Sequence, residues 1–135
     1  MSRAGGCLCG AIRYEVTGPM RPVVACHCEQ CRRTSGHHVA ATAARLEDLH
    51  VMGEPVWYVS SPGHARGFCG VCGSNLFWRS EGSGLMSVFA GTLDVPTGLT
   101  LAAHIYVAAK SDYYTVADGQ PQVDGGAELD LPLRE

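Results

Sequence analysis

The sequence is poor in charge and has no long apolar run, and no export signal is expected. Charged residues make up 17% of its 135 positions, and the net charge is −3. The ten basic residues are scattered singly apart from Arg32-Arg33. A nucleic-acid footprint needs a basic stripe, so no nucleic-acid partner is expected. No stretch approaches the length of apolar residues that a membrane-spanning helix requires, so no membrane partner is expected either. The opening Met1-Ser2-Arg3-Ala4-Gly5-Gly6-Cys7 has no apolar core of a signal peptide, which predicts a cytoplasmic protein. Disorder is excluded by the 46% of hydrophobic residues. The length suits one domain, enough to bury roughly two-thirds of the surface its unfolded chain exposes. Seventeen glycines and seven prolines leave little room for long helices.

Against this background stand seven cysteines: Cys7, Cys9, Cys26, Cys28, Cys31, Cys69 and Cys72. An odd set in a chain without an export signal reads as metal ligands or reactive thiols, and no disulfides are expected. They fall into three clusters, C-x-C, C-x-C-x-x-C and C-x-x-C. Such pairs can chelate one tetrahedral ion from a tight turn. Seven ligands divide most naturally into four and three, since a structural zinc takes four protein ligands and a catalytic zinc keeps one position open. Cys7, Cys9, Cys69 and Cys72 join distant parts of the chain, where a metal clip restricts the unfolded state most. They are assigned to the structural site. Cys26, Cys28 and Cys31 then form the open, catalytic site. Two Zn²⁺ per chain are expected, although spacing alone leaves crossed pairings open.

Between the cysteines the chain reads as short strands. Ala11 to Thr17 alternates apolar and polar residues between Gly10 and Gly18-Pro19. Pro22 to Ala25 is a short apolar run, Cys28 to Thr34 suits one helical turn, and His38 to Ala44 reads as a strand of small residues. Leu46 to Met52 leads to the turn at Gly53-Glu54-Pro55. Further strands are expected at Val56–Val59, Ala65–Phe68, Asn75–Arg79, Leu85–Ala90 and Leu101–Val107. Cys69-Gly70-Val71-Cys72-Gly73 resembles a zinc knuckle between two of them. Many short strands separated by Gly/Pro turns predict a mainly β domain. Beyond Ser111 the chain turns acidic, and Gly125-Gly126 and Leu129–Pro132 are expected to be loosely attached.

Several motifs together carry a family resemblance. Gly6-Cys7-Leu8-Cys9-Gly10 runs into Ile12-Arg13-Tyr14, and Cys26-His27-Cys28-x-x-Cys31-Arg32 is followed by Ser35-Gly36. Arg66-Gly67-Phe68-Cys69-x-x-Cys72-Gly73-Ser74-x-Leu76, Gly91-Thr92-Leu93-Asp94 and His104-Ile105-Tyr106-Val107 complete the series. The chain resembles the glutathione-dependent formaldehyde-activating enzyme (GFA) family, which includes centromere protein V, over roughly residues 5 to 121. The resemblance implies a β-tent fold of short antiparallel sheets stapled by two zinc ions. It also implies a carbon–sulfur lyase that joins formaldehyde and glutathione as S-(hydroxymethyl)glutathione. It supports the same division of the cysteines into four and three. A GFA-like zinc-binding domain is therefore expected over 1–121, with an acidic C-terminal tail over 122–135. Tyr113-Tyr114 and Gln120-Pro121-Gln122 depart from the commoner family residues, and both are expected to line a substrate groove.

The donor set points to the same chemistry without the name. Three thiolates make Zn²⁺ a weaker Lewis acid than three histidines do, so hydroxide generation is disfavoured. A soft thiolate is the better fourth ligand, held for attack on a small carbonyl. The partner expected is a small thiol or thiol–aldehyde adduct. Arg32 and Arg33 are candidates for binding its carboxylates. His27, Glu29, His37 and His38 lie close enough in sequence to supply a proton, but each is more simply read as a structural or solvated residue. His104, Trp57 and Trp78 are expected in the core or at its edge. A second reading is a non-catalytic, zinc-stapled binding module whose fourth ligand comes from a side chain or a partner. A third is a zinc-storage or redox-sensor protein.

Overall fold

The computed structural model describes residues 2–126 and 129–134. Met1, Ala127, Glu128 and Glu135 lie outside the described residues, and with them part of the expected acidic tail. Among the described residues ten strands and one α-helix follow one another: β1 (Arg3–Gly6), β2 (Arg13–Val16), β3 (Val23–Cys26), α1 (Glu29–Ser35), β4 (Val39–Arg45), β5 (Leu49–Met52), β6 (Val56–Ser61), β7 (His64–Phe68), β8 (Asn75–Ser80), β9 (Leu85–Phe89) and β10 (Leu101–Ile105). The fold is mainly β, as the short strands and Gly/Pro turns predict. No helix among the described residues is long and apolar enough to cross a membrane.

The strands form a small sheet of order β1-β2-β5 and a larger one of order β10-β3-β4-β9-β8-β7-β6. Among these ten strands the pairings are antiparallel except that of β10 with β3, which run parallel. This is a departure from the antiparallel expectation, and it follows from the long connection that carries the chain from β9 back to the free edge of β3. The main core holds Tyr14, Val16, Met20, Leu76, Phe77 and Val88, together with Cys7 and Cys69. A second cluster gathers Cys31, Val39, Ala41 and Phe89, with Cys26, Cys28 and Trp78 packed against it. One cysteine group thus belongs to each core.

The strand β1 escaped the sequence. The Arg-Ala-Gly-Gly of β1 has almost no strand propensity. It is a strand because Gly5 lets its backbone pass close to Tyr14 and Thr92. A Cβ on Gly5 would meet the Thr92 carbonyl oxygen and lie 2.5 Å from Tyr14 Oη. That hydroxyl is itself hydrogen-bonded to Thr92 Oγ1 at 2.7 Å. Gly5→Ala is therefore expected to destabilise the protein by about 1–3 kcal/mol, the usual range for overpacking. Urea denaturation reads the effect, and an unchanged midpoint would contradict this account of β1.

The segment after residue 121 is not loosely attached where it is described. Val123 donates to the His104 carbonyl at 3.0 Å, and Tyr106 donates to that of Gly125 at 3.1 Å. Met20 and Arg134 exchange two backbone hydrogen bonds of 2.8 Å. The acidic composition hid these pairings, because backbone groups make them whatever the side chains are.

Candidate metal centres and the adjoining cavity

The sulfurs of Cys7, Cys9, Cys69 and Cys72 all lie within 4.8 Å of one another. Two turns bring them together. In the first, Cys7 donates to the Ile12 carbonyl at 3.0 Å and its sulfur accepts the Ile12 N–H at 3.3 Å. Gly10 closes it with a φ of 83°. In the second, the Gly73 N–H reaches the Cys69 carbonyl at 2.8 Å, and Cys69 Sγ accepts from Val71 and Cys72 at 3.4 and 3.5 Å. Gly73 has a φ of 79°, a conformation that L side chains rarely adopt. Backbone N–H groups aimed at sulfur stabilise thiolates. The Ser74 hydroxyl adds to this, holding the Cys72 thiol down at about 5.

The donor set can be tested against a tetrahedral ion. Zinc–thiolate bonds of about 2.3 Å put sulfurs about 3.8 Å apart. Cys7 and Cys9 sulfurs are 3.7 Å apart, and those of Cys9 and Cys69 are 3.8 Å apart. The cluster has the spacing of a zinc site.

Cys26, Cys28 and Cys31 form the second group, again with all sulfurs within 4.8 Å. Cys26 ends β3. Cys28 caps α1, its sulfur accepting the Cys31 N–H at 3.3 Å, and Gly36 closes the helix with a φ of 86°. Glu29 in the first turn and Arg32 and Arg33 in the last complement the helix dipole. Hydrogen bonds from Cys26 and Cys31 hold the Cys28 thiol well below its usual range, while the same contacts push Cys26 up. Three sulfurs this close favour sharing a negative charge, which a divalent cation satisfies better. Among the described residues no fourth His, Cys, Asp or Glu joins the group.

These three sulfurs line a cavity of about 480 Å³. The register of the large sheet builds its floor. Val24, Ala41 and Phe89 are paired across β3, β4 and β9. Ser87, Trp78 and Arg66 are paired across β9, β8 and β7. Residues paired in register share a face, and all six line the cavity.

The same alternation explains His27. Cys26 faces the cavity, so its neighbour is carried to the opposite side. There His27 is 1% exposed, with Nε2 2.9 Å from His104 Nδ1. His104 Nε2 lies 2.7 Å from Asp118 Oδ2, and Tyr114 Oη lies 3.1 Å from His27 Nδ1 and 3.4 Å from His38 Nδ1. These contacts link Asp118, His104, His27, Tyr114 and His38 in one chain, in which the Asp118 carboxylate accepts from His104 Nε2–H and the ring tautomers set the direction of the remaining bonds. The network fixes the loop between Cys26 and Cys28 from behind. Burial pushes His27 down to about 4, and burial also lowers His38. The unfolded chain therefore takes up protons that the folded chain refuses, and stability should fall as pH drops from the ordinary histidine value of about 6.5 towards those lowered values. NMR titration of the ring protons checks this. A midpoint at or above 6.5 for His27 would contradict the buried, neutral assignment.

The other residues singled out in the sequence lie as follows. Arg32 donates from Nε to the Ala109 carbonyl at 2.8 Å. Arg33 pairs with Glu29 at 3.1 Å on the surface. Neither arginine lines the cavity, and nor do Tyr113, Tyr114 or Gln120–Gln122, despite the expectation of a groove there. Glu29 reaches the rim, His37 meets Tyr113, and Trp57 packs on Phe77. Arg21, His64 and Arg66 line the cavity and were missed as site residues. An arginine between small residues in Ala65-Arg66-Gly67 was the available signal.

The fold and site define a mainly β domain in which short strands carry two cysteine clusters that could bind zinc. The sequence matches the family model for the glutathione-dependent formaldehyde-activating enzyme over residues 2–109, and the chain belongs to that family. It is also similar to the crystal structure of a Rhodobacter sphaeroides protein, a structural-genomics target. The two share 25% identity over 70% of this chain and 91% of that one, with a TM-score of 0.57.

Proposed function

We propose that this protein is a carbon–sulfur lyase that makes or cleaves a thiol–aldehyde adduct such as S-(hydroxymethyl)glutathione. Cys7, Cys9, Cys69 and Cys72 would hold a structural zinc, and Cys26, Cys28 and Cys31 a catalytic one. The observation that carries this reading is a three-sulfur group with no fourth protein ligand among the described residues, opening on a cavity of small-molecule size. A binding module that closed its second site with its own side chain would show that fourth ligand.

A zinc ion on three thiolates supplies a soft position that lowers a substrate thiol's pKa and fixes its sulfur. In the synthetic direction the substrate sulfur forms a bond to the carbonyl carbon. The carbonyl π pair moves to oxygen, and that oxygen takes up a proton. Cleavage reverses each step. The chain's own residues orient the reactants: Val24, Val39, Ala41 and Phe89 make an apolar wall that restricts water, and Trp78 makes a flat one. His64 lines the cavity and stacks on Trp78 at 5.1 Å, which makes it the candidate to exchange the oxygen's proton.

Exchange spectroscopy of formaldehyde and glutathione tests the reading. The zinc-loaded protein should accelerate interconversion of the adduct with its components. No acceleration by protein that carries both metals would reject the lyase and favour the binding module.

A further inference from the structure

We propose that Arg66, together with Arg21 in the wall of the same cavity, is the receptor for a carboxylate on the substrate. The open site then selects small thiols whose carboxylate lies within a few bonds of the sulfur. The proposal rests on reading Cys26, Cys28 and Cys31 as the seat of the substrate thiolate.

Arg66 is 7% exposed, and it enters no salt bridge among the described residues. Its Nη2 donates to Cys31 Sγ at 3.6 Å and to Gln30 Oε1 at 3.4 Å, while Nε and Nη1 are buried without partners. Arg21 also lines the cavity. Its Nη2 is held by the Ala41 carbonyl at 3.1 Å, and its Nε is again buried and unpartnered. Glu29, the one carboxylate in the described lining, is paired with Arg33.

A buried guanidinium with unpaired N–H groups is costly unless something else completes it. Cys31 and Gln30 share one nitrogen and leave the other two without partners, in a side chain that lines the cavity. A planar guanidinium fork matches a carboxylate through two parallel hydrogen bonds. Position sets the length of the ligand. Arg66 touches a sulfur of the metal group, so a carboxylate on its free nitrogens lies close to whatever sulfur completes that group.

The sheet holds Arg66 in place. It lies in β7, paired with Trp78 on one side and Tyr58 on the other. The next residue, Gly67, sits so close under the Trp57 ring that a Cβ there would be 2.9 Å from it. The receptor is part of the rigid sheet, which favours selectivity over induced fit.

The test compares 3-mercaptopropionate with 3-mercaptopropanol, which share a thiol and a chain length and differ in charge. Each is titrated into cobalt-loaded full-length protein, and the sulfur-to-cobalt charge-transfer band reads binding. The wild-type protein should prefer the acid by about tenfold or more, and Arg66→Met should abolish the preference, read as the ratio of the two affinities because Arg66 also touches Cys31 Sγ. Equal affinities in the wild type, or a preference that survives Arg66→Met, would overturn the proposal. If that variant does not fold, Arg66→Lys serves instead, since it keeps the charge and loses the fork. It should reduce the preference by about threefold or more, and an unchanged preference overturns the proposal. If neither thiol alters the band, the reading of the metal site fails separately. The receptor is then read on zinc-loaded protein with propionate, following the Arg66 Nε–H resonance. A saturable shift supports the receptor, and its absence overturns it.

Discussion

Cys69→Ser is expected to cost the protein most of its stability. Cys69 is 1% exposed, its sulfur is 3.8 Å from that of Cys9, and the two residues are sixty positions apart. A metal shared between them restricts the unfolded chain over that whole span. Structural zinc in small domains contributes on the order of 10 kcal/mol, comparable to the full stability of a domain this size. The serine hydroxyl is a poor zinc ligand and leaves the N–H groups of Val71 and Cys72 facing a weaker acceptor. Thermal melting should fall by more than about 15 °C, or the variant should fail to accumulate as folded protein. A melting point close to that of the wild type, with both metals retained, would show that the four-cysteine cluster is not a structural clip.

Cys28→Ser should fail in the opposite way. Cys28 caps α1, and serine is among the best residues at a helix N-cap. The Cys31 N–H keeps an acceptor, so the loss at the cap should be no more than about 1 kcal/mol, and the total loss should stay well below that of Cys69→Ser. The metal group is left with two sulfurs. Metal analysis should find one zinc in place of two, and adduct exchange should fall by about a thousandfold, as when a group essential to the reaction is removed. Near-equal losses of stability in Cys28→Ser and Cys69→Ser would mean that the cysteines are divided wrongly between the two centres.

The cysteine groups were legible because metal ligation has a local grammar. Cys7-x-Cys9 and Cys69-x-x-Cys72 each form a turn whose glycine, Gly10 or Gly73, stands at the position of positive φ. The strand at Arg13–Val16 was legible for a similar reason, since burial there alternates with the period of two that its residues show. Long-range register was not legible. Arg66 becomes a cavity residue because β7 pairs with β8 so that Arg66 lies opposite Trp78, and Trp78 opposite Ser87. Nothing within Ala65-Arg66-Gly67 states that alignment. Arg32 and Arg33 were attractive because they follow Cys31 directly. A helix turns successive side chains by about 100°, so adjacency to a ligand is a poor guide to the direction of the next residue. His27 shows the strand version of the same point, one position from Cys26 and on the other side of the sheet. The strand β1 was hidden by its glycines, whose use is close approach to Tyr14 and Thr92 and not propensity.

On the proposed reading, Cys26, Cys28 and Cys31 hold a zinc that accepts a substrate sulfur. Zinc-edge X-ray absorption of protein carrying both metals, recorded with glutathione and with S-methylglutathione, addresses it directly. Glutathione should add sulfur scattering at about 2.3 Å equivalent to one ligand shared over the two zincs, in proportion to occupancy. Its S-methylated analogue has no thiolate to give and should leave the spectrum of the free protein unchanged. Identical spectra with the two compounds, or a free protein already showing four protein ligands at both zincs, would contradict the account.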